Sequence, residues 1–111
     1  MLNMDMEFKK GIFIVRLKGI LNKNTYKTIK DELSNMIQNN GIKYLMINLK
    51  DLKYIDSSGV SIILDNYKYI EENKGKMVVC GINRLFDYNS NITDNLYQVQ
   101  EEVAAFNLIN L

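Results

Sequence analysis

Asp56-Ser57-Ser58-Gly59 sets a carboxylate, two hydroxyls and a glycine side by side. The apolar run before it has strand character. After it the spacing turns helical, with Val60, Ile63, Leu64, Tyr67 and Ile70 on one face. The quartet therefore falls at a strand-to-helix junction, where the loop at the strand's carboxyl end often carries function. Asp56 or Ser57 can cap the helix by accepting a first-turn amide, worth about 1 kcal/mol, while Gly59 permits close approach of backbone. A hydroxyl at a helix N-terminus is also a favourable place for a phosphate. Phosphoserine carries roughly −1.5 to −2 charges at neutral pH, and first-turn amides and the helix dipole stabilise it locally. A serine nucleophile fits less well. It needs a base, the chain has no histidine, and side chains adjacent at a helix start diverge. The quartet also lacks the G-x-S-x-G elbow.

Capping and phosphorylation are compatible, and a phosphate here need not unfold anything. Its effect would fall on a docked partner, which must desolvate or repel a dianion beside Asp56. Desolvating an unmatched charge costs on the order of several kcal/mol, and each ~1.4 kcal/mol is tenfold in affinity.

The elements that would hold the quartet follow from periodicity. Residues 2–9 and 12–18 read as strands joined at Lys9-Lys10-Gly11 in a hairpin, and IFIVRL is apolar enough to lie inside a sheet. Gly19 ends that strand, and Asn22, Asn24 and Thr25 offer capping oxygens to a helix carrying Tyr26, Ile29, Leu33, Met36 and Ile37. Asn40-Gly41 closes it. Residues 42–49 form a central strand, the helix after the quartet ends near Glu71, Glu72, Lys74 and Gly75, and MVVCG is a short buried strand. A short helix is expected over 83–89, an edge strand over 95–99, and a last helix over 100–110 with Val103, Phe106 and Leu108 or Ile109 packed inward. Strand and helix alternate after the hairpin, which implies an α/β fold: a small, mostly parallel mixed sheet reached by right-handed crossovers, with about four helices largely on one face.

The totals narrow the function. At 111 residues the expectation is one domain over 1–111. Fourteen basic residues balance 13 acidic ones, for a net charge of +1, so nothing argues for nucleic acid or an anionic membrane. No apolar run reaches the roughly 18 residues of a membrane span, and MLNMDMEFKK lacks signal-peptide features. A cytoplasmic protein is expected. Without histidine, His metal ligation is excluded. Cys80, the single cysteine, reads as a small buried hydrophobe. Neither a Walker A nor a G-x-G-x-x-G motif occurs, and no cofactor is expected. Tyrosines 44, 54, 67, 69, 88 and 97 suit half-exposed cover for a small core.

IKYLMINLKDLKYIDSSGVSIIL resembles the core signature of STAS domains, specifically the anti-sigma factor antagonists: an apolar strand, a D-L-x-x-[IM] connection, D-S-S/T-G and an apolar helix in that order. GILNKNT stands where the family has G-E-L-D-x-x-T, and NKGKMVVCGINRLFD is similar to the sporulation type, which frees sigma-F, more than to the general-stress type. The resemblance implies a protein that binds an anti-sigma factor serine kinase and so releases the sigma factor. The kinase then inactivates it on the serine after the aspartate, here Ser57, and a serine phosphatase resets it. The ATP belongs to the kinase. Asp56, Ser58 and Gly59 would shape the docking loop, with Asn22, Lys23 and Asn24 on the neighbouring loop. Spacing adds the flank of the second helix at Ser61, Asp65 and Lys68, Ser61 lying one i+4 step from Ser57.

Ile20 and Asn22 replace the usual acids of the G-E-L-D stretch, and GINRLFD is shorter than the family's run. Both departures bear on which partner is recognised. The alternative from another class is a STAS scaffold or sensor module of a signalling assembly, not regulated at Ser57. Intrinsic nucleotide binding is a second rival, and the absence of a phosphate-binding loop weighs against it.

Overall fold

The computed structural model describes residues 1–82 and 96–109. Five strands form one sheet in the order β1-β2-β3-β4-β5: β1 (Leu2–Lys9), β2 (Ile12–Leu21), β3 (Tyr44–Ile55), β4 (Lys76–Cys80) and β5 (Tyr97–Val99). β1 is antiparallel to β2, and every later pairing is parallel. The helices are α1 (Tyr26–Ser34), continued by a π-helical turn over Asn35–Asn39, α2 (Ser57–Glu72) and α3 (Glu102–Ile109). The mixed, mostly parallel α/β architecture expected from the alternation is the one found. The helix expected over 83–89 lies outside the described residues.

The hairpin turn places both Lys10 (φ +54°) and Gly11 (φ +81°) in the left-handed region. Such turns match the right-handed twist of the strands they join. β2 is apolar on both sides because both faces of the sheet are covered. Phe13, Val15 and Leu17 point into the larger core with Leu45, Ile47, Leu49, Met77 and Val79, beneath Ile29 and Leu33 of α1 and Ile63 and Ile70 of α2. Ile12 and Ile14 point the other way and join Met46, Val78 and Cys80 beneath Ala105 and Ile109 of α3. Two helices thus cover one face and the C-terminal helix covers the other.

Four expectations are corrected. β2 does not stop at Gly19 but runs to Leu21, and β3 runs past Leu49 to Ile55. The two strands continue to pair through register shifts at Arg16/Lys18 and Gly19/Ile20. Thr25 stands at the N-cap of α1 without a side-chain capping bond, because the oxygens of Asn22 and Thr25 close the preceding turn instead. Val103 does not pack inward. It is 70% exposed, since α3 turns Ala105 and Ile109 to the sheet.

Candidate phosphoacceptor site

The junction between β3 and α2 is built around Asp56. Its backbone is extended, it stands at the N-cap of α2, and its carboxylate Oδ1 accepts the Gly59 N–H at 3.1 Å. Its own amide donates to the Leu21 carbonyl at 3.2 Å, so the end of β2 holds the start of the helix. Gly59 is buried against that strand end. A Cβ there would lie 2.7 Å from Ile55 Cγ1, 2.7 Å from Leu21 Cγ and 3.0 Å from the Leu21 carbonyl oxygen. Only hydrogen fits.

The second oxygen of Asp56 reaches another element. Oδ2 accepts the Lys23 N–H at 2.9 Å, across 33 residues of chain. The β2–α1 loop that carries Lys23 is closed on itself: Asn24 N–H donates to Asn22 Oδ1, Asn22 N–H to Thr25 Oγ1, and the Thr25 hydroxyl to the Ile20 carbonyl, each at 2.9 Å. One carboxylate therefore clamps the helix start to the neighbouring loop, with backbone amides as both donors. Charge-assisted bonds of this kind are about twice as strong as neutral ones.

Ser57 occupies the first helical position and is exposed, and its hydroxyl bonds no group among the described residues. Ser58 is half-buried. The first-turn amides of a helix have no intrahelical acceptor, and the dipole adds positive potential at this end. A dianion on Ser57 would sit in a favourable local field. Ser61 and Asp65 follow at successive i+4 steps, both exposed, and Lys68 is exposed nearby on the same helix. Lys23 and Asn24 are exposed and Asn22 half-buried. The fold thus brings Asn22–Asn24 against the DSSG junction through Asp56, and extends the surface down α2 through Ser61 and Asp65.

A family model of the STAS domain matches residues 3–86. The chain belongs to the STAS family. Within that family, the anti-sigma F factor antagonist of Paenibacillus polymyxa is 37% identical over 82 residues, which are 74% of this chain and 70% of that one. The anti-sigma factor antagonist SpoIIAA in its unphosphorylated form superposes with a TM-score of 0.82, at 18% identity, over 97% of this chain and 98% of that one. The phosphorylated form of the Bacillus SpoIIAA gives 0.75 at 21% identity, over 96% and 99%. At such identities the structural likeness is one of fold.

In this STAS domain no group of three or more metal-ligating acids or cysteines occurs among the described residues, and no described helix is long and apolar enough to cross a membrane. What the residue pattern did not disclose is the use of Lys23 through its backbone, which carries no side-chain signature. Equally hidden was the polar cluster on the opposite face, where Arg16, Asn48 and Glu102 meet.

Proposed function

We propose that this STAS domain is an anti-sigma factor antagonist switched at Ser57. Unmodified, it binds an anti-sigma factor serine kinase and thereby releases the sigma factor. Phosphorylated on Ser57, it no longer binds, and a serine phosphatase restores it. The observation that carries the reading is the exposed, unbonded Ser57 hydroxyl at the first position of a helix whose start is fixed by Asp56 and Gly59, in a chain 37% identical to an anti-sigma F factor antagonist.

The physical argument separates the domain from the interface. Within the domain, phosphate at this position meets first-turn amides and the positive end of the helix, so the fold tolerates it. At the interface the same group must be stripped of water against a surface shaped for a neutral hydroxyl. Burying such a charge unpaired costs on the order of several kcal/mol, enough to lower affinity by orders of magnitude at ~1.4 kcal/mol per tenfold. The face presented to the kinase is Asp56, Ser57 and Ser58, held in shape by the buried Gly59 beneath them, flanked by Asn22, Lys23 and Asn24 and continued by Ser61 and Asp65. The phosphate comes from ATP held by the kinase, and the domain itself needs no cofactor.

The test is incubation of the purified protein with the anti-sigma kinase of the same genome and ATP, read by intact mass and peptide mapping, with Ser57→Ala alongside. One phosphate on Ser57, absent from the variant, with weaker kinase binding afterwards, is the expected result. An active kinase that leaves the chain unmodified overturns the reading, and a phosphorylation-independent scaffold role then takes its place.

A further inference from the structure

We propose that Asp56 is a positioning residue that carries the phosphorylation state of Ser57 to the Asn22–Asn24 loop. The proposal rests on the phosphoswitch reading of Ser57 and adds the route by which a second part of the docking face responds. In the unmodified chain the Asp56 carboxylate holds the Gly59 N–H with one oxygen and the Lys23 N–H with the other. Among the described residues, the Lys23 bond is the side-chain hydrogen bond that joins this loop to the start of α2; the loop's other side-chain bonds stay within it or reach Ile20 of β2.

A phosphate on Ser57 brings three strong acceptor oxygens into the same turn. The donors there are the first-turn amides of α2 and, across the junction, Lys23. Two adjacent anions then compete for one set of donors and repel each other. The two bonds of Asp56 do not resist this equally. Gly59 is buried, packed against Leu21 and Ile55, whereas Lys23 lies on an exposed loop. The bond that yields is the one to Lys23. Its ammonium, which forms no ion pair among the described residues, can then turn to the phosphate and reshape the loop. The switch thus acts at two places on the docking face: the new charge at Ser57, and a loop that loses its unmodified conformation.

Phosphoserine installed at position 57 during synthesis of the full chain makes the test independent of any kinase. Amide hydrogen exchange is read by NMR at Lys23, with Val78 in the sheet as internal control. The expected result is exchange at Lys23 faster by about tenfold, with Val78 unchanged. Asp56→Asn, which keeps a capping oxygen, should show the same loosening at Lys23 without phosphate and little further change when phosphoserine is added. Unchanged exchange at Lys23 in the phosphoserine chain overturns the coupling and leaves the phosphoswitch standing. Equal acceleration at Lys23 and Val78 also overturns it, since that marks general destabilisation. A kinase that fails to modify Ser57 removes the phosphoswitch without altering either exchange result.

Discussion

Arg16 on β2 and Glu102 on α3 are joined by two parallel hydrogen bonds, Nε to Oε2 at 2.7 Å and Nη2 to Oε1 at 2.9 Å. The remaining Arg16 nitrogen, Nη1, bridges Asp5 at 3.1 Å and Glu7 at 3.0 Å, both on β1. Asn48 on β3 adds a bond to Glu102 Oε2 at 2.7 Å. A single guanidinium therefore ties the edge strand, the second strand and the C-terminal helix together. The fixed fork of arginine matches a carboxylate in this way, and lysine does not. The clamp matters because α3 is short and fully buries only Ala105 and Ile109. Its apolar contacts alone specify its rotation weakly, and Glu102 supplies the rest. The clamp belongs to the smaller core, on the sheet face opposite α1 and α2.

Breaking this clamp should loosen α3 without touching Ser57. Glu102→Gln removes the charge from a partly buried bidentate pair, and the expected cost is roughly 1–2 kcal/mol. In a domain of this size that lowers the melting temperature by about 4–8 °C per kcal/mol. Arg16 holds the Glu102 carboxyl below its ordinary value of 4.5, with Asn48 contributing. A carboxylate depressed in the folded state stabilises the fold above its unfolded pKa and loses that contribution as pH falls through the folded value. The gap between wild type and Glu102→Gln in urea unfolding should therefore be full at pH 7 and shrink below pH 4.5. A gap that stays constant down to acid pH would show that the charge is not what is lost.

Ser57→Ala should separate function from stability. The hydroxyl is exposed and bonds nothing among the described residues, so its removal should change unfolding free energy by no more than about 0.5 kcal/mol. Phosphate uptake should vanish, while affinity for the kinase stays close to that of the unmodified wild type. A large loss of stability would mean that the hydroxyl supports the helix start, a role the Asp56 cap already fills.

How much of this was legible in the sequence depends on the range of the interaction. Periodic apolar positions marked the strands and both long helices, because such faces must be buried whatever they meet. The end of pairing is different. KDLKYI stays extended to Ile55 although only Leu52 in it is fully buried, because β2 lies alongside and keeps pairing through its shifts. That is a property of the pair, not of either segment. Val103 illustrates the same limit, since helical spacing allowed it inward while its neighbour Glu102 is held by Arg16, 86 residues earlier in the chain, and Val103 is left exposed. At the site, Asp56 was recognisable as a cap from its own position. Its second acceptor oxygen finds a backbone amide 33 residues distant, which only the folded chain brings near.

Cys80 should be inert until the protein unfolds. It is fully buried beneath α3, and burial, with a smaller contribution from Glu102, pushes its thiol up to about 12. The thiolate is the reactive form. An aromatic disulfide reagent at pH 8 should label the native protein only at the rate of opening and titrate one thiol at once in denaturant. The clamp adds a further expectation, that Glu102→Gln accelerates native labelling. Rapid reaction of the native wild type would contradict the burial.

Gly59→Ala tests whether the site depends on close packing as well as on chemistry. Alanine is ordinarily the better helix residue, by roughly 1 kcal/mol, so on propensity alone the substitution would stabilise α2. Packing argues the reverse. The new methyl would lie 2.7 Å from both Ile55 Cγ1 and Leu21 Cγ and 3.0 Å from a backbone oxygen. The side chains can shift by rotamer, but the Leu21 carbonyl is held as the acceptor of the Asp56 amide. Overpacking of this kind costs about 1–3 kcal/mol, which outweighs the propensity gain. The helix start must then move off β2, carrying Ser57 and stretching the bond from Asp56 to Lys23. Denaturant unfolding should show a net loss of roughly 1–2 kcal/mol, and phosphorylation by the kinase should slow even where the variant is fully folded. A variant as stable as wild type and modified at the same rate would mean that α2 can slide without consequence, and that the contact between Gly59 and Leu21 does not position Ser57.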